Sequence, residues 1–410
     1  MERESVYLGI DIDESVSMVS FYYSAMTEPE TISTIAGSEM YQIPTFLSKR
    51  KGMGQWFFGR EAMRQVNIGN AYAVEQLFQK ALRNQMINLD GESYQARDLM
   101  VIYMKKLLSI PGTRYGNASL AKLIITVEKV SRPVRDMFME VASTMGISRD
   151  RFMLIDRKES FYYYALNQDP SLFIHDVMLF HSDEKEVTSV LLKRNHKTRP
   201  QVVTLLEEQF DALGENKDEA FLEVCRKAID NNVVTSVYLT GDGFDGNWMK
   251  SSLAFLCSNR RVFIGKNLFS KGACYAGVIK DEKLDWPFVF IGDNELKLNV
   301  SIKISDRNEM RFLTLIEAGQ SWYDTEGECE VILDGSSEVT VWIQKPDSRQ
   351  ADVEVLELTD LPERENRTTR IRINAKPVSD KKIRIELRDL GFGEIVSSTN
   401  QVWIHTIGVE

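Results

Sequence analysis

The chain has 410 residues, which is too many for one ordinary hydrophobic core, so we expect two or three domains. Its hydrophobic content of 43% and charged content of 27% are typical of a globular protein. A formal charge of −10 argues against a nucleic-acid partner, because binding to phosphates requires a basic surface.

Membrane and metal chemistry are also disfavoured by the sequence. It contains no apolar stretch of the length needed for a signal peptide or a membrane span, so we expect no membrane partner and a cytoplasmic location. Its cysteines are widely spaced and form no CxxC pair: Cys225, Cys257, Cys274 and Cys329. That spacing suits neither a zinc site nor a disulfide framework, so we predict no metal site and buried free thiols.

The first third of the chain predicts strands followed by helices. Apolar runs on both sides of Asp11–Ser15 predict a hairpin that opens a sheet. The segments "IPTFLSKR" and "GQWFFG" predict a second pair of strands. Apolar residues at helical spacing predict helices over residues 60–83 and 96–109.

Strands and helices alternate in the next part of the chain. Residues 123–127 and 152–155 predict strands, and "ESFYYYALNQ" predicts a helix. Apolar runs around the polar turn at residues 181–186 predict another hairpin, and "VTSVYLTGDGF" predicts a strand that enters a glycine turn. This alternation predicts an α/β region.

After about Lys283 the pattern changes to strict alternation of apolar and polar residues. Segments such as "ELKLNVSIKI", "EVTVWIQ" and "KKIRIEL" have period two and are separated by turn residues. We therefore place a boundary near residues 281–286, which gives domains 1–283 and 284–410. The second is predicted to be an antiparallel β-sandwich.

The order of these motifs resembles a known family. "YLGIDIDESVSMVSF" is similar to the first phosphate hairpin of the seventy-kilodalton heat-shock (DnaK-like) chaperones, and "VYLTGDGF" is similar to their adenosine turn. "RFLTLIEAGQSWYDTEGECEVILDGSSEVTVWIQ" resembles their peptide-binding β-sandwich. The resemblance implies a two-lobed actin-like ATPase fold with ribonuclease H-like subdomains, followed by a β-sandwich. No segment resembles the helical lid of that family, which implies weak and rapidly exchanging peptide binding.

The same resemblance implies where a nucleotide would bind if binding is retained. Asp11 matches the metal-side aspartate of the family, and Ser15 lies in its phosphate hairpin. Gly241, Asp242 and Gly243 match the adenosine turn. ATP or ADP with Mg²⁺ is the cofactor that this match implies.

Several positions depart from the family pattern. Asp13 and Glu14 stand where it has glycine and hydroxyl residues, and residues 183–185 stand where it has a glycine run. Phosphate binding needs accessible backbone N–H groups, so acidic side chains at these turns oppose it. His181 replaces an aspartate, Arg157 replaces the catalytic glutamate, and only the neighbouring Arg64 could replace the lysine of the hydrolytic site. We therefore predict no catalytic residues and a pseudo-ATPase.

Three functions remain open from the sequence. The preferred hypothesis is a non-hydrolysing, chaperone-like scaffold that binds a protein or peptide partner through its β domain. The alternatives are a weak ATP- or ADP-binding regulatory switch and an ATP-dependent chaperone. Fold alone does not decide among them.

Overall fold

The structure is a computed structural model that describes residues 5–35, 37–111, 119–281, 285–307 and 309–409. The chain forms two compact units. One consists of Met1–Lys193 with Leu206–Trp286, and the other consists of Arg194–Leu205 with Pro287–Glu410.

The first unit is a mixture of strands and helices. Its strands are β1 (Ser5–Ile12), β2 (Val16–Tyr22), β3 (Glu30–Thr31), β4 (Ile43–Pro44), β5 (Leu47–Arg50), β6 (Trp56–Phe58), β7 (Ala71–Val74), β8 (Met86–Leu89), β9 (Glu92–Gln95), β10 (Ser119–Val127), β11 (Phe152–Asp156), β12 (Asp176–Ser182), β13 (Glu186–Asn195), β14 (Gln201–Asp211), β15 (Val234–Thr240) and β16 (Arg261–Ile264). Its helices are α1 (Gly59–Asn67), α2 (Leu77–Leu82), α3 (Ala96–Ser109), α4 (Arg132–Thr144), α5 (Arg157–Leu166), α6 (Lys217–Ile229), α7 (Ser251–Leu256) and α8 (Leu268–Asp281). The end of the β13–β14 hairpin belongs to the second unit.

Two separate mixed sheets organise this unit. The first has the order β11-β10-β1-β2-β3, with β4 beside β2. The second contains β16-β15-β12-β13-β14 in that order. In each sheet a central hairpin (β1–β2 or β12–β13) pairs antiparallel within itself, and its first strand runs parallel to a further strand, β10 or β15. The predicted α/β class is confirmed at this level.

The predicted helix over residues 60–83 is wrong in its middle. Helix α1 ends at Asn67, β7 follows, and only then does α2 begin. Gly69 has a φ of +77°, which ends the helix in a left-handed turn. Strand β7 then pairs antiparallel with β5, with Leu47 opposite Val74. The paired residues are 21 (Arg50 and Ala71) to 27 (Leu47 and Val74) positions apart, and helical spacing, which counts only near neighbours, does not detect such pairing.

The second unit is built from strands. Besides the start of β14, it contains β17 (Phe288–Phe290), β18 (Asn299–Asp306), β19 (Glu309–Ile316), β20 (Gly327–Ile332), β21 (Glu338–Gln344), β22 (Ala351–Glu357), β23 (Arg370–Pro377), β24 (Lys382–Gly391) and β25 (Val402–Gly408). Within residues 285–307 and 309–409 no helix occurs. Strands β18 to β25 divide between two antiparallel sheets, β19-β18-β21-β22 and β20-β23-β24-β25.

The two sheets of the second unit share one hydrophobic core. Ile302 and Val341 from one sheet and Ile373 and Ile385 from the other belong to the same buried cluster, so the unit is an antiparallel β-sandwich. The period-two alternation predicts that Val331, Leu333, Val339 and Val341 face the core. Val339 and Val341 are buried, and Val331 and Leu333 are partly buried and pack against the core.

The predicted burial of the cysteines holds only in part. Cys225 and Cys274 are buried, whereas Cys257 is exposed and Cys329 is half-buried. Helices of the described residues are too short or too polar to cross a membrane.

Candidate functional site

The turn of the first hairpin is closed by its own aspartate. The Asp13 N–H donates to the carbonyl of Val16 at 3.0 Å. The Asp13 carboxylate accepts the N–H groups of Ser15 and Val16 at 2.8 and 2.9 Å. Such an Asx turn is a local preference of aspartate, which explains why the hairpin forms without glycine.

The second hairpin repeats this construction. The Asp183 N–H donates to the carbonyl of Glu186 at 3.2 Å. The Asp183 carboxylate accepts the N–H groups of Lys185 and Glu186 at 2.7 and 2.9 Å. In both turns a side-chain carboxylate therefore occupies the backbone donors that the family resemblance assigns to phosphate oxygens.

Arg157 joins the first hairpin to helix α5, of which it is the first residue. The preceding Asp156 accepts the N–H of Glu159 at 2.8 Å, and this N-cap fixes the start of the helix. From there the guanidinium donates to both oxygens of Asp11, with Nε–Oδ1 and Nη2–Oδ2 distances of 3.1 and 3.2 Å. Nη2 also lies 2.8 Å from Oδ2 of Asp13. Arg157 and the carboxylates of Asp11 and Asp13 therefore form one ion network, which joins the start of α5 to the first hairpin.

Burial and charge have opposite effects on the pKa values of Asp11 and Arg157. Asp11 is buried, and its burial raises its pKa although the charge of Arg157 opposes the shift. Burial would lower the pKa of Arg157, but the two carboxylates offset it and hold that pKa above the ordinary value. The guanidinium also stacks over the ring of Phe269, 5.2 Å from its centroid. A positive charge therefore sits beside Asp11, where the resemblance implies a metal ion.

His181 occupies the position in the second hairpin that Asp11 occupies in the first, two residues before the turn aspartate. Burial, and then the charge of Arg157, lowers its pKa to about 4, so the imidazole is neutral at pH 7. Its Nδ1 is buried and has no hydrogen-bond partner among the described residues. The same holds for Oγ of the adjacent Ser182. Two buried polar atoms of the second hairpin thus lack, among the described residues, the partner that buried groups normally have.

The glycine turn packs directly against this hairpin. Gly241 has a φ of +102°, and a Cβ placed there would lie 2.2 Å from the carbonyl oxygen of Ser182. A Cβ on Gly243 would lie 2.2 Å from Oγ of Ser182. The close contact between the glycine turn and the second hairpin therefore requires glycine at both positions, whether or not a nucleotide binds.

The remaining residues expected at a nucleotide site lie apart from the ion network or have other partners. Ser15 is exposed at the tip of the first turn. Asp242 accepts hydrogen bonds from Lys266 and Gln42, at 2.6 and 2.9 Å. Arg64, considered as a replacement for the lysine of the hydrolytic site, instead forms an exposed pair with Glu61.

Sequence reasoning did not assign Lys266 or Phe269 to the site, since each reaches it only through folding. In the described part of the chain, no group of three or more His, Cys, Asp or Glu side chains is arranged to hold a metal ion.

Comparisons with known families cover both units. Residues 28–293, more than half of the chain, match a family described as "Family of unknown function (DUF5716) C-terminal". Residues 295–409 match a "Domain of unknown function (DUF8552)". Among curated proteins, none matches the chain.

Proposed function

The chain belongs to the family of unknown function DUF5716, and we propose that it is a non-hydrolysing, chaperone-like scaffold. In this proposal the first unit is a diverged actin-like domain with two ribonuclease H-like subdomains. Its support is the pair of separate sheets, each with a central hairpin and a parallel neighbouring strand. The second unit binds a protein or peptide partner in the cytoplasm.

One observation carries the loss of hydrolysis. Arg157 replaces the acid that the resemblance assigns to catalysis, and it pairs with Asp11 and Asp13 through three hydrogen bonds. Phosphoryl transfer needs metal ions and positioned donors on the transferring group. Here a guanidinium holds the acidic side chains, and carboxylates hold the turn amides. Neither Mg²⁺ nor a triphosphate finds its usual ligands.

Partner binding is assigned to the edges of the β-sandwich. The outermost strands of the two sheets are β19, β22, β20 and β25. An extended peptide that adds to such an edge gains main-chain hydrogen bonds, while side-chain pockets supply specificity. We expect fast exchange and weak affinity, since an open edge does not enclose the peptide.

A weak ATP- or ADP-binding switch is the second candidate. Nδ1 of His181 and Oγ of Ser182 are buried and without partners among the described residues, and this favours a ligand or water between the hairpin and its surroundings. In that case Asp11 and the turn of Gly241 and Gly243 would hold a nucleotide without turnover. An ATP-dependent chaperone is the least supported function.

Calorimetry and a phosphate-release assay with Mg-ATP separate these functions. We expect no release above background and no measurable heat from the natural chain. The combined variant Asp13→Gly with Asp183→Gly frees the turn amides, and weak nucleotide binding gained by this variant would support the ancestry of the site. Magnesium-dependent turnover by the natural chain, abolished in Asp11→Ala, would refute the proposal.

The partner-binding half needs its own experiment. Full-length chain should be titrated against an array of extended peptides, with binding followed by fluorescence polarisation. We expect binding to some apolar sequences, with affinities in the micromolar range or weaker. A chain that is folded by circular dichroism but binds no peptide would remove this half of the proposal while leaving the pseudo-ATPase half intact.

A further inference from the structure

The outer face of the β19-β18-β21-β22 sheet is unusually apolar for a surface. Met310, Phe312, Val353 and Val355 point away from the core and are 61%, 57%, 53% and 50% exposed. Trp342 lies between them and packs edge-on against Phe312, with ring centroids 5.3 Å apart. Large aromatic and Met side chains gathered on one exposed face are typical of an interface.

The cross-strand register places these side chains on one face of the sheet, on β19, β21 and β22, with Ser301 and Lys303 of β18 between them. Phe312 stands opposite Lys303, Ser301 stands opposite Trp342, and Trp342 stands opposite Val353. We call this surface, made of Met310, Phe312, Trp342, Val353 and Val355, the apolar face. Because it follows one face of a sheet, it suits another sheet face better than a single inserted side chain.

The opposite face of the sandwich has a different character. There charged side chains alternate along the strands and pair across them. Arg372 contacts Glu330 at 2.7 Å, and Arg388 contacts Glu386 at 3.3 Å. Such a face is satisfied by its own ion pairs and by water, so the apolar face is not a general property of this unit.

Three charged residues on the apolar face lack this compensation. Lys303, Glu338 and Glu357 are exposed, and none forms an ion pair with another described residue. Glu338 and Glu357 stand directly opposite each other on β21 and β22, where like charges are destabilising. The face therefore presents one cation and two anions that have no opposite charge among the described residues.

We propose that the occupant of the apolar face is a second copy of the same chain. A two-fold axis parallel to the strands and between β18 and β21 exchanges β18 with β21 and β19 with β22. It places Phe312 over the partner's Val355 and brings Lys303 beside the partner's Glu338. In this arrangement the apolar surface is covered, and each copy gains one ion pair between Lys303 and the partner's Glu338. Glu357 stays on the edge strand β22.

The expected affinity follows from the size of the face. Four strands spaced ~4.8 Å apart and about 20 Å long offer on the order of 400 Å² of planar area per copy. Stable interfaces bury about 800 Å² per partner. We therefore expect a reversible dimer with a dissociation constant in the micromolar range. This inference does not depend on peptide binding, because it uses the sheet face and leaves the strand edges free.

Sedimentation equilibrium of the full chain tests the proposal. The natural chain should shift from monomer to dimer across micromolar to submillimolar concentrations, and Phe312→Ser should weaken dimerisation at least about tenfold. The matched control is Ile404→Ser, since Ile404 is 53% exposed on the opposite face of the sandwich. That control should leave the dissociation constant unchanged. Circular dichroism must show that each variant is folded.

A charge swap distinguishes a second copy from any other partner. Lys303→Glu alone and Glu338→Lys alone should each weaken the dimer, because each puts like charges across the interface. The combination restores opposite charges in both copies and should return the dissociation constant to within about threefold of the natural value. A natural chain that stays monomeric, a swap without recovery, or an equal effect of Ile404→Ser would overturn the proposal and assign the apolar face to a different protein or to none.

Discussion

Each unit of the molecule contains a buried aspartate paired with an arginine, and the two pairs are built differently. In the β-sandwich, the carboxylate of Asp389 accepts hydrogen bonds from both terminal nitrogens of Arg364 at 2.8 Å. It also accepts the N–H of Gly391 and both the N–H and hydroxyl of Thr399. In the first unit, the carboxylate of Asp11 accepts hydrogen bonds from Arg157 alone among the described residues, at 3.1 and 3.2 Å.

The pKa values of the two aspartates move in opposite directions. The hydrogen bonds of Arg364 hold the pKa of Asp389 well below its usual range, although burial opposes this shift. Burial raises the pKa of Asp11, and Arg157 offsets the shift only in part. A buried carboxylate stabilises the fold when protein hydrogen bonds replace its hydration, and it destabilises the fold when they do not. Asp389 therefore has a structural role, whereas stability does not explain Asp11.

The largest effect is expected for Asp389→Asn. The substitution leaves Arg364 buried without its counter-charge and breaks the link between the loops before β23 and after β24. We expect a loss of about 3–5 kcal/mol in the free energy of unfolding of the sandwich. Chemical denaturation combined with hydrogen exchange would measure the loss and assign it to this unit.

The matched control is Asp334→Asn. Asp334 pairs at 2.8 Å with Arg367, a residue of the same loop as Arg364, but both side chains are largely exposed. Its effect on the free energy of unfolding should be much smaller than that of Asp389→Asn, because water screens an exposed ion pair. Because the folded-state pKa of Asp389 is lowered, its stabilisation is present above the ordinary value of 3.8 and is lost as the pH falls through the folded-state pKa. Equal effects of the two variants would contradict the assignment.

An intermediate effect is expected for the pH dependence that His181 confers on the first unit. Its folded-state pKa is lowered from 6.5 to about 4. As the pH falls, the unfolded chain therefore binds a proton at a higher pH than the folded chain does. The stability that the neutral imidazole contributes is complete above pH 6.5 and decreases as the pH approaches 4. The shift corresponds to roughly 3 kcal/mol. His181→Gln should remove this part of the slope when unfolding is measured between these pH values.

The exposed His175 provides the control for this measurement. His175→Gln should reproduce the pH profile of the natural chain. If His181→Gln also reproduces it, the imidazole is not desolvated as the structure indicates.

The smallest effect is expected for Asp11→Asn. The variant removes a charge whose burial is costly, and Arg157 keeps Asp13 as a partner at 2.8 Å. We expect a change of about 1 kcal/mol or less, in either direction. Denaturation of the natural chain and the variant in parallel measures it. A loss as large as that of Asp389→Asn would show that the two pairs are equivalent after all.

Much of the candidate site was visible in the sequence as a set of departures from a family pattern. The sequence identifies Asp11 as a match to the metal-side aspartate, and Asp13 and Arg157 as departures that oppose nucleotide binding and hydrolysis. That they bind one another was not predicted, since Arg157 lies 146 residues from Asp11 along the chain. Likewise, Gly241 and Gly243 were identified as a turn, but their contact with Ser182 was not.

Two features of the fold follow from local interactions, which the sequence alone determines. Asp13 and Asp183 close their turns with bonds to residues two and three positions ahead, and the period-two alternation after residue 283 places Val339 and Val341 inward. Both features depend only on near neighbours and on backbone geometry. Tertiary structure decided that residues 71–74 form a strand, that Arg157 reaches the first hairpin, and that Phe312 meets Trp342. These contacts join residues far apart in the chain, and only the closure of the whole fold brings them together.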